Sequence, residues 1–108
     1  MTENLQKRKL AAILSADVQG YSRLMGDDDC LTVNTLTRYR KYFYTYSQEH
    51  AGRVINAPGD AVLAESPSAA DAVCCAVAIQ EQLAESNAEL PEHRRMVFRI
   101  GVTFGDIM

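Results

Sequence analysis

Two aspartates, Asp17 and Asp60, occupy positions from which side chains can do chemistry in this sequence. Asp17 lies at the end of the apolar run at residues 10–18, and Asp60 directly follows Pro58-Gly59. Carboxylate oxygens are the ligands that Mg²⁺ and Mn²⁺ prefer, and such ions keep positions open for water and substrate phosphates. The alternative is that both aspartates only end strands and form turns, which is a common use of this residue.

The segment that follows Asp17 adds backbone groups to the same region. It reads Val18-Gln19-Gly20-Tyr21-Ser22, and its glycine lets the chain approach a ligand closely. N–H groups at the start of a helix attract phosphate oxygens. Carboxylates for a metal ion and amides for phosphate together indicate a site for a nucleoside triphosphate.

The hydrophobic pattern predicts the elements that must position these groups. Strands are expected at 10–18, 53–56, 60–66 and 96–108, and helices at about 30–50 and from residue 66 to about 87. Gly52 is expected to cap the first helix, and Gly105-Asp106 to bend the last strand. Residues 1–9 are expected to form a flexible arm before a single domain at 10–108.

The order β-α-β-β-α-β predicts an α+β fold with a ferredoxin-like core. Short connections and right-handed crossovers give an antiparallel sheet with both helices on one face. Strands 1 and 3 are then antiparallel neighbours. Asp17, at the end of one, and Asp60, at the start of the other, are expected to meet at one sheet edge. We expect no basic side chain close enough to neutralise either of them.

Composition excludes several classes of protein. The chain has 108 residues, 47% of them hydrophobic, a formal charge of −3 and a pI near 5.3, which indicates a globular domain and disfavours nucleic-acid binding. No apolar run is long enough for a membrane span or a signal peptide, so a cytoplasmic location is expected. Three cysteines, two of them adjacent, fit a reducing compartment in which Cys74 and Cys75 are small helix residues.

Four tyrosines lie at roughly helical spacing in the first predicted helix. They can be read as a surface on which bases stack, or as packing residues of the core or of a dimer interface. Basic residues near them are few, so packing is the favoured interpretation. The tyrosines are Tyr39, Tyr42, Tyr44 and Tyr46.

Three segments resemble the class III adenylate/guanylate cyclase catalytic domain. LSADVQGYSRLM at 14–25 is similar to the first strand and metal loop of that family. PGDAVLAES at 58–66, with the helix sequence after it, is similar to the second metal hairpin and the following helix. FRIGVTFGDIM at 98–108 is similar to the next strand. The segments follow one another in the family's order.

The resemblance implies a function and a set of site residues. Asp17 and Asp60 would hold two Mg²⁺ or Mn²⁺ ions together with the backbone carbonyl of Val18. The amides from Gln19 to Ser22 would contact the triphosphate. Enzymes of this family form a 3′,5′-cyclic monophosphate and pyrophosphate from ATP or GTP in intracellular signal transduction. They act as dimers, so a homodimer, or an oligomer with exchanged elements, is expected.

Two departures from the family pattern limit this expectation. Asn56 occupies the position at which many relatives carry a base-reading lysine, so the choice between ATP and GTP stays open. The family's Asn-X-X-X-Arg transition-state pair belongs to a segment beyond Met108. This chain alone is therefore expected to be an inactive part of a cyclase domain, with apolar surface left beside its last strand.

Two alternatives to a cyclase are weighed against it. The first is a degenerate cyclase-homology domain that binds nucleotide or dimerises for regulation. The second is a receiver-like phosphoacceptor domain, which needs a lysine late in the chain. The last lysine here is Lys41, which nearly excludes that class.

Overall fold

The computed structural model describes residues 9–107, which form one sheet and three helices. The strands are β1 (Lys9–Val18), β2 (Arg53–Asn56), β3 (Val62–Ser66) and β4 (Phe98–Ile107). The helices are α1 (Tyr21–Asp27), α2 (Asp29–Glu49) and α3 (Ala69–Asn87), and a 3₁₀ turn at Glu92–Arg94 precedes β4. Of the arm predicted at residues 1–9, only Lys9 lies within the described residues, and its backbone belongs to β1.

The four strands have the order β2-β3-β1-β4, and every neighbouring pair is antiparallel. This is the ferredoxin-like arrangement that the sequence predicts. β1 is central: Ala16 faces Val62 of β3, and Asp17 faces Arg99 of β4. Because β1 is antiparallel to both neighbours, its last residues lie beside the first residues of β3 and of β4.

The two faces of the sheet have different environments. Alternate residues of β1, among them Leu14, Ala16 and Val18, are buried beneath the helices. Ser15, between them, is exposed on the other face, as the two-residue period of a strand requires. Asp17 shares that open face. The core is completed by Leu24, Leu36, Tyr39, Phe43, Val62, Ala64, Cys75, Ile79, Leu83, Met96 and Phe98.

Several predicted boundaries are wrong by a few residues. β3 begins at Val62 instead of residue 60, and β4 begins at Phe98. The expected bend at Gly105-Asp106 is absent, because β4 continues to Ile107. α1 was not expected as a separate helix. It ends where the carboxylate of Asp28 accepts the N–H of Leu31 and starts α2.

Gly52 does not have the predicted role in ending α2. The left-handed residue after the helix is Ala51, with φ of 64°. A Cβ on Gly52 would instead collide with the carbonyl oxygen of Glu65 and lie 3.2 Å from Oγ of Ser66. Glycine is therefore required here because the chain leaving α2 passes directly over the backbone of β3.

A buried arginine holds the corner between α1 and α2. Arg94 is 7% exposed, and its guanidinium donates to Oγ1 of Thr32 at 2.8 Å and to Asp27 at 3.1 Å. Thr32 in turn donates to the carbonyl of Leu24 at 2.8 Å. The segment before β4 is thereby fixed to the short helix that follows β1.

Asn87 joins three parts of the core with both ends of its amide. Its Oδ1 accepts the hydroxyl of Tyr39 at 2.7 Å and the N–H of Met96 at 3.0 Å. Its Nδ2 donates to the carbonyl of Met96 at 2.8 Å. α2, α3 and the approach to β4 therefore meet at one satisfied polar group inside the core.

The tyrosine series mostly packs between the helices, as the favoured interpretation predicted. Tyr39 is buried in the core. The hydroxyl of Tyr42 bonds to Ser86 at 2.7 Å, and that of Tyr46 donates to Gln82 of α3 at 3.1 Å. Tyr44 is exposed and takes no part in this interface.

The cysteines are free thiols in the structure. Cys75 is buried in the core, and burial raises the pKa of its thiol. Cys74, beside it in α3, is exposed. Both are therefore helix residues, as the sequence predicts.

Apolar side chains are exposed on the outer side of α3 and along β4. Val73 and Val77 of α3 are each about half exposed, as is Val97 just before β4, and Phe104 of β4 is 55% exposed. The expected apolar surface beside the last strand is therefore present. In the described part of the chain, no helix combines the length and hydropathy that a bilayer-crossing segment needs.

Gly52→Ala is expected to lower the free energy of unfolding by about 1–3 kcal/mol, because the added methyl group overlaps the β3 backbone. Urea denaturation of both proteins measures the change. Gly26→Ala is the matched control: it places a methyl group in open space within α1 and should be neutral or stabilising. Equal stability of the Gly52→Ala variant and the wild type would contradict the close approach.

Asn87→Ala is expected to cost about 3 kcal/mol, because it leaves the hydroxyl of Tyr39 and both backbone groups of Met96 without their partner. Tyr42→Phe, which removes only a half-buried hydrogen bond between the same helices, should cost about 1 kcal/mol or less. Thermal and urea unfolding compare the two variants. Similar losses in both would show that Asn87 is not the shared polar anchor.

Candidate functional site

The two predicted aspartates lie at the same end of the sheet. Asp60 Oδ2 accepts the backbone N–H of Val18 at 3.1 Å, the residue next to Asp17 in β1. This hydrogen bond ties the turn before β3 to the end of β1. Asp60 is therefore bonded to the residue next to Asp17, at the sheet edge where the two aspartates were expected.

A tight turn places Asp60 at this position. The N–H of Ala61 donates to the carbonyl of Pro58 at 2.9 Å, which closes the turn. Gly59 has φ of 58°, a left-handed conformation that glycine adopts at little cost. The Pro-Gly pair thus sets the direction from which the Asp60 side chain reaches back to β1.

Arg99 is the functional candidate that sequence reasoning missed. Its Nε donates to Asp17 Oδ1 at 2.8 Å across β1 and β4. The expectation of no basic side chain close enough to neutralise either aspartate is therefore wrong for Asp17. The hydrogen bond to Asp17 and the charge of Asp17, with a smaller contribution from the charge of Asp60, raise the pKa of Arg99.

The loop after Asp17 turns sharply just before α1. Gly20 has φ of 68° and immediately precedes α1. The N–H of Gln19 donates to the carbonyl of Val97 at 2.8 Å, so this amide is already used within the protein. The N–H groups of Tyr21 and Ser22 belong to the first turn of α1, where amides have no partner within the helix.

An open cavity of about 580 Å³ adjoins Asp17 on the open face of the sheet. Asp17 and Arg99 border it, and Pro58, Leu63 and Gly101 are among its less polar walls. Asn56 also borders it, and its Oδ1 accepts the N–H of Ala57 at 2.9 Å. The amide nitrogen of Asn56 is consequently the end that can donate to a ligand.

The donors of this edge fit a magnesium-type ion. Among residues 9–107, no three His, Cys, Asp or Glu side chains cluster as a self-sufficient metal cage. Mg²⁺ does not require one, because it is commonly bound by one or two carboxylates with water and substrate phosphates completing its shell. Asp17, which borders the cavity, and Asp60, which is bonded to the next residue of β1, could provide such a pair.

Known proteins are similar to this chain in sequence and in fold. "Putative adenylate cyclase 3" of Rhizobium meliloti is 46% identical over 109 residues, which cover 100% of this chain and 19% of that protein. A solved adenylate/guanylate cyclase/hydrolase from Silicibacter pomeroyi is 34% identical with a TM-score of 0.80, covering 92% of this chain and 58% of that one. No protein-family model matches the chain.

A third relative extends the likeness of the fold. The solved guanylyl cyclase Cya2 is 23% identical with a TM-score of 0.78, and the match covers 92% of this chain and 55% of that one. Fold and sequence together thus define a nucleotide cyclase domain: the chain belongs to the class III adenylate/guanylate cyclase family. It spans 19% of the curated relative and little more than half of the solved chains.

Proposed function

We propose that this chain forms the metal- and triphosphate-binding part of a nucleotidyl cyclase. The whole domain would convert ATP or GTP into its 3′,5′-cyclic monophosphate and pyrophosphate, and it would act in cytoplasmic signal transduction. The observation that carries the proposal is the bond from Val18 N–H to Asp60, which ties a second carboxylate to the end of β1, where Asp17 borders the cavity.

The acidic pair is the proposed metal site. Asp17 and Asp60 hold two Mg²⁺ or Mn²⁺ ions, and the carbonyl of Val18 is a further ligand. When bound, the ions lower the pKa of the ribose 3′-hydroxyl and neutralise charge on the phosphates. The antiparallel register of β1 with both neighbours supports this assignment, because it brings both acids to one end of the sheet.

The backbone after Asp17 is the proposed triphosphate site. Amides of Gly20, Tyr21 and Ser22 meet the phosphate oxygens, while the amide of Gln19 keeps its bond to Val97 and positions the loop. The left-handed Gly20 supports this assignment, because a side chain is absent where the loop turns.

Asn56 is the proposed contact to the base. Its Oδ1 is held by Ala57, so the residue offers N–H donors to an acceptor on the purine edge. Both adenine and guanine carry such acceptors. Asn56 alone therefore leaves the choice between ATP and GTP open.

Two copies of the chain are proposed to associate as a homodimer. The exposed apolar side chains on α3 and β4, with the free edge of β4, support this, since such surfaces recruit another chain. Dimerisation would add residues of the second copy to the open cavity.

A regulatory, nucleotide-binding domain without turnover is the second candidate. Its support is Asn56 in place of the base-reading lysine of many relatives. Both functions require binding of metal and nucleotide, so binding tests the shared site. Product formation by a longer chain separates the two.

Mn²⁺ with ATP or GTP is expected to raise the melting midpoint of this chain, because a ligand that binds the folded state stabilises it by mass action. Asp60→Asn should remove most of the shift. Glu65→Gln, a charge-matched change in β3, the strand that follows Asp60, should retain it. The metal site is wrong if the wild type and Asp60→Asn respond identically to the cation and nucleotide.

This chain alone is expected to show no appreciable cyclase activity with Mn²⁺ and ATP or GTP. Binding positions the phosphates, but a transition-state arginine contributes on the order of 10³ to 10⁵ in rate in other phosphoryl transfers. A longer chain that continues through an Asn-X-X-X-Arg segment should form cyclic nucleotide and lose it with Asp17→Ala. Turnover by the short chain that depends on Asp17 would contradict the expectation.

A further inference from the structure

Arg99 and Asp17 form an ion pair at the mouth of the cavity. They are direct partners in the β1–β4 register, and Arg99 Nε lies 2.8 Å from Asp17 Oδ1. Their side chains are 66% and 46% exposed, so both remain accessible to solvent and solutes. The pair occupies one oxygen of a carboxylate that is also a proposed metal ligand.

The second acid is bound in a different way. Asp60 Oδ2 accepts a backbone N–H from Val18, a neutral donor that leaves the carboxylate negatively charged. Asp17 is bonded instead to a full positive charge. Among residues 9–107, a cation arriving at this edge therefore meets Asp60 without a bonded cationic side chain and Asp17 with one.

We propose that Arg99 is a positioning residue that competes with the divalent cation for Asp17. In the nucleotide-free protein the guanidinium holds Asp17 in place and reduces the affinity of the edge for free Mg²⁺ or Mn²⁺. Binding of the cation releases Arg99 from Asp17. This inference rests on the proposed function, in which Asp17 and Asp60 are the metal pair.

The exposure of the pair limits the size of the effect. Exposed ion pairs are weak, so the guanidinium is expected to change the affinity for a cation by no more than about five-fold. The guanidinium is thus a weak competitor that a cation displaces at moderate concentration. Because only the side chains must separate, the register of β1 and β4 is retained.

Removing the competitor should tighten cation binding. Arg99→Gln is expected to lower the dissociation constant of Mn²⁺ about two- to five-fold in the absence of nucleotide, measured by calorimetric titration of this chain. The matched control is Arg53→Gln, which breaks an exposed ion pair with Glu65 elsewhere on the same sheet. The dissociation constant of Mn²⁺ for Arg53→Gln should stay within about 1.5-fold of the wild-type value, because salt screens charges that lie far from the site.

A spectroscopic experiment on the unmodified chain tests the competition directly. The Nε–H resonance of Arg99 is followed by NMR during a titration with diamagnetic Mg²⁺. It should move toward the position of a free arginine, with the same half-saturation as the binding isotherm. The Nε–H resonance of Arg53, which is bonded to Glu65, should not move.

The outcomes separate this inference from the proposed function. If Mg²⁺ saturates the site while the Arg99 resonance is unchanged, cation and guanidinium share Asp17 and the competition is wrong, although the metal site stands. Equal Mn²⁺ affinities of wild type and Arg99→Gln would likewise overturn the competition and leave the metal site intact. Absence of cation binding in both proteins, with and without ATP or GTP, overturns the proposed function as well.

Discussion

The antiparallel pairing of β1 with both of its neighbours is the constraint on which the rest of the molecule depends. β1 is buried on one face by Leu14, Ala16 and Val18, so a shift of one residue would expose this apolar set and bury Ser15. The register is consequently fixed by the core. That same register places Arg99 opposite Asp17. The arrangement of charges at the open edge therefore follows from packing on the opposite face.

Polar groups inside the fold stabilise the elements around that edge. Arg94 connects the chain before β4 to the carbonyl of Leu24 and to Thr32, and so fixes α1. Asn87 connects the same segment to α2 and α3. The loop between β1 and α1 lies between these anchors, and its Gln19 amide is bonded to Val97. A buried polar group that keeps all of its partners specifies one arrangement of the core. Here that arrangement includes the backbone proposed to meet phosphate.

The sequence predicts the elements well where periodicity is strong. β2 has the expected bounds, and α3 ends where expected, because alternation and a helical apolar stripe are local signals. Two residues escape such reasoning. Gly52 faces β3, a neighbour that no local pattern reveals. Arg94 is buried through contacts with residues far away in the sequence, whereas a basic pair before a strand resembles ordinary surface charge.

The position of Arg99 beside Asp17 follows from the topology of the sheet. The order of elements already implied that strands 1 and 4 are antiparallel, so the start of the last strand had to lie beside the end of the first. Arg99 is the second residue of β4, so its side chain lies at this edge, a placement that no local sequence pattern around it reveals. The edge consequently carries two negative charges and one positive charge. A site with this balance attracts a cation less strongly than two free carboxylates do, which suits an ion whose remaining ligands come from a phosphate-bearing substrate.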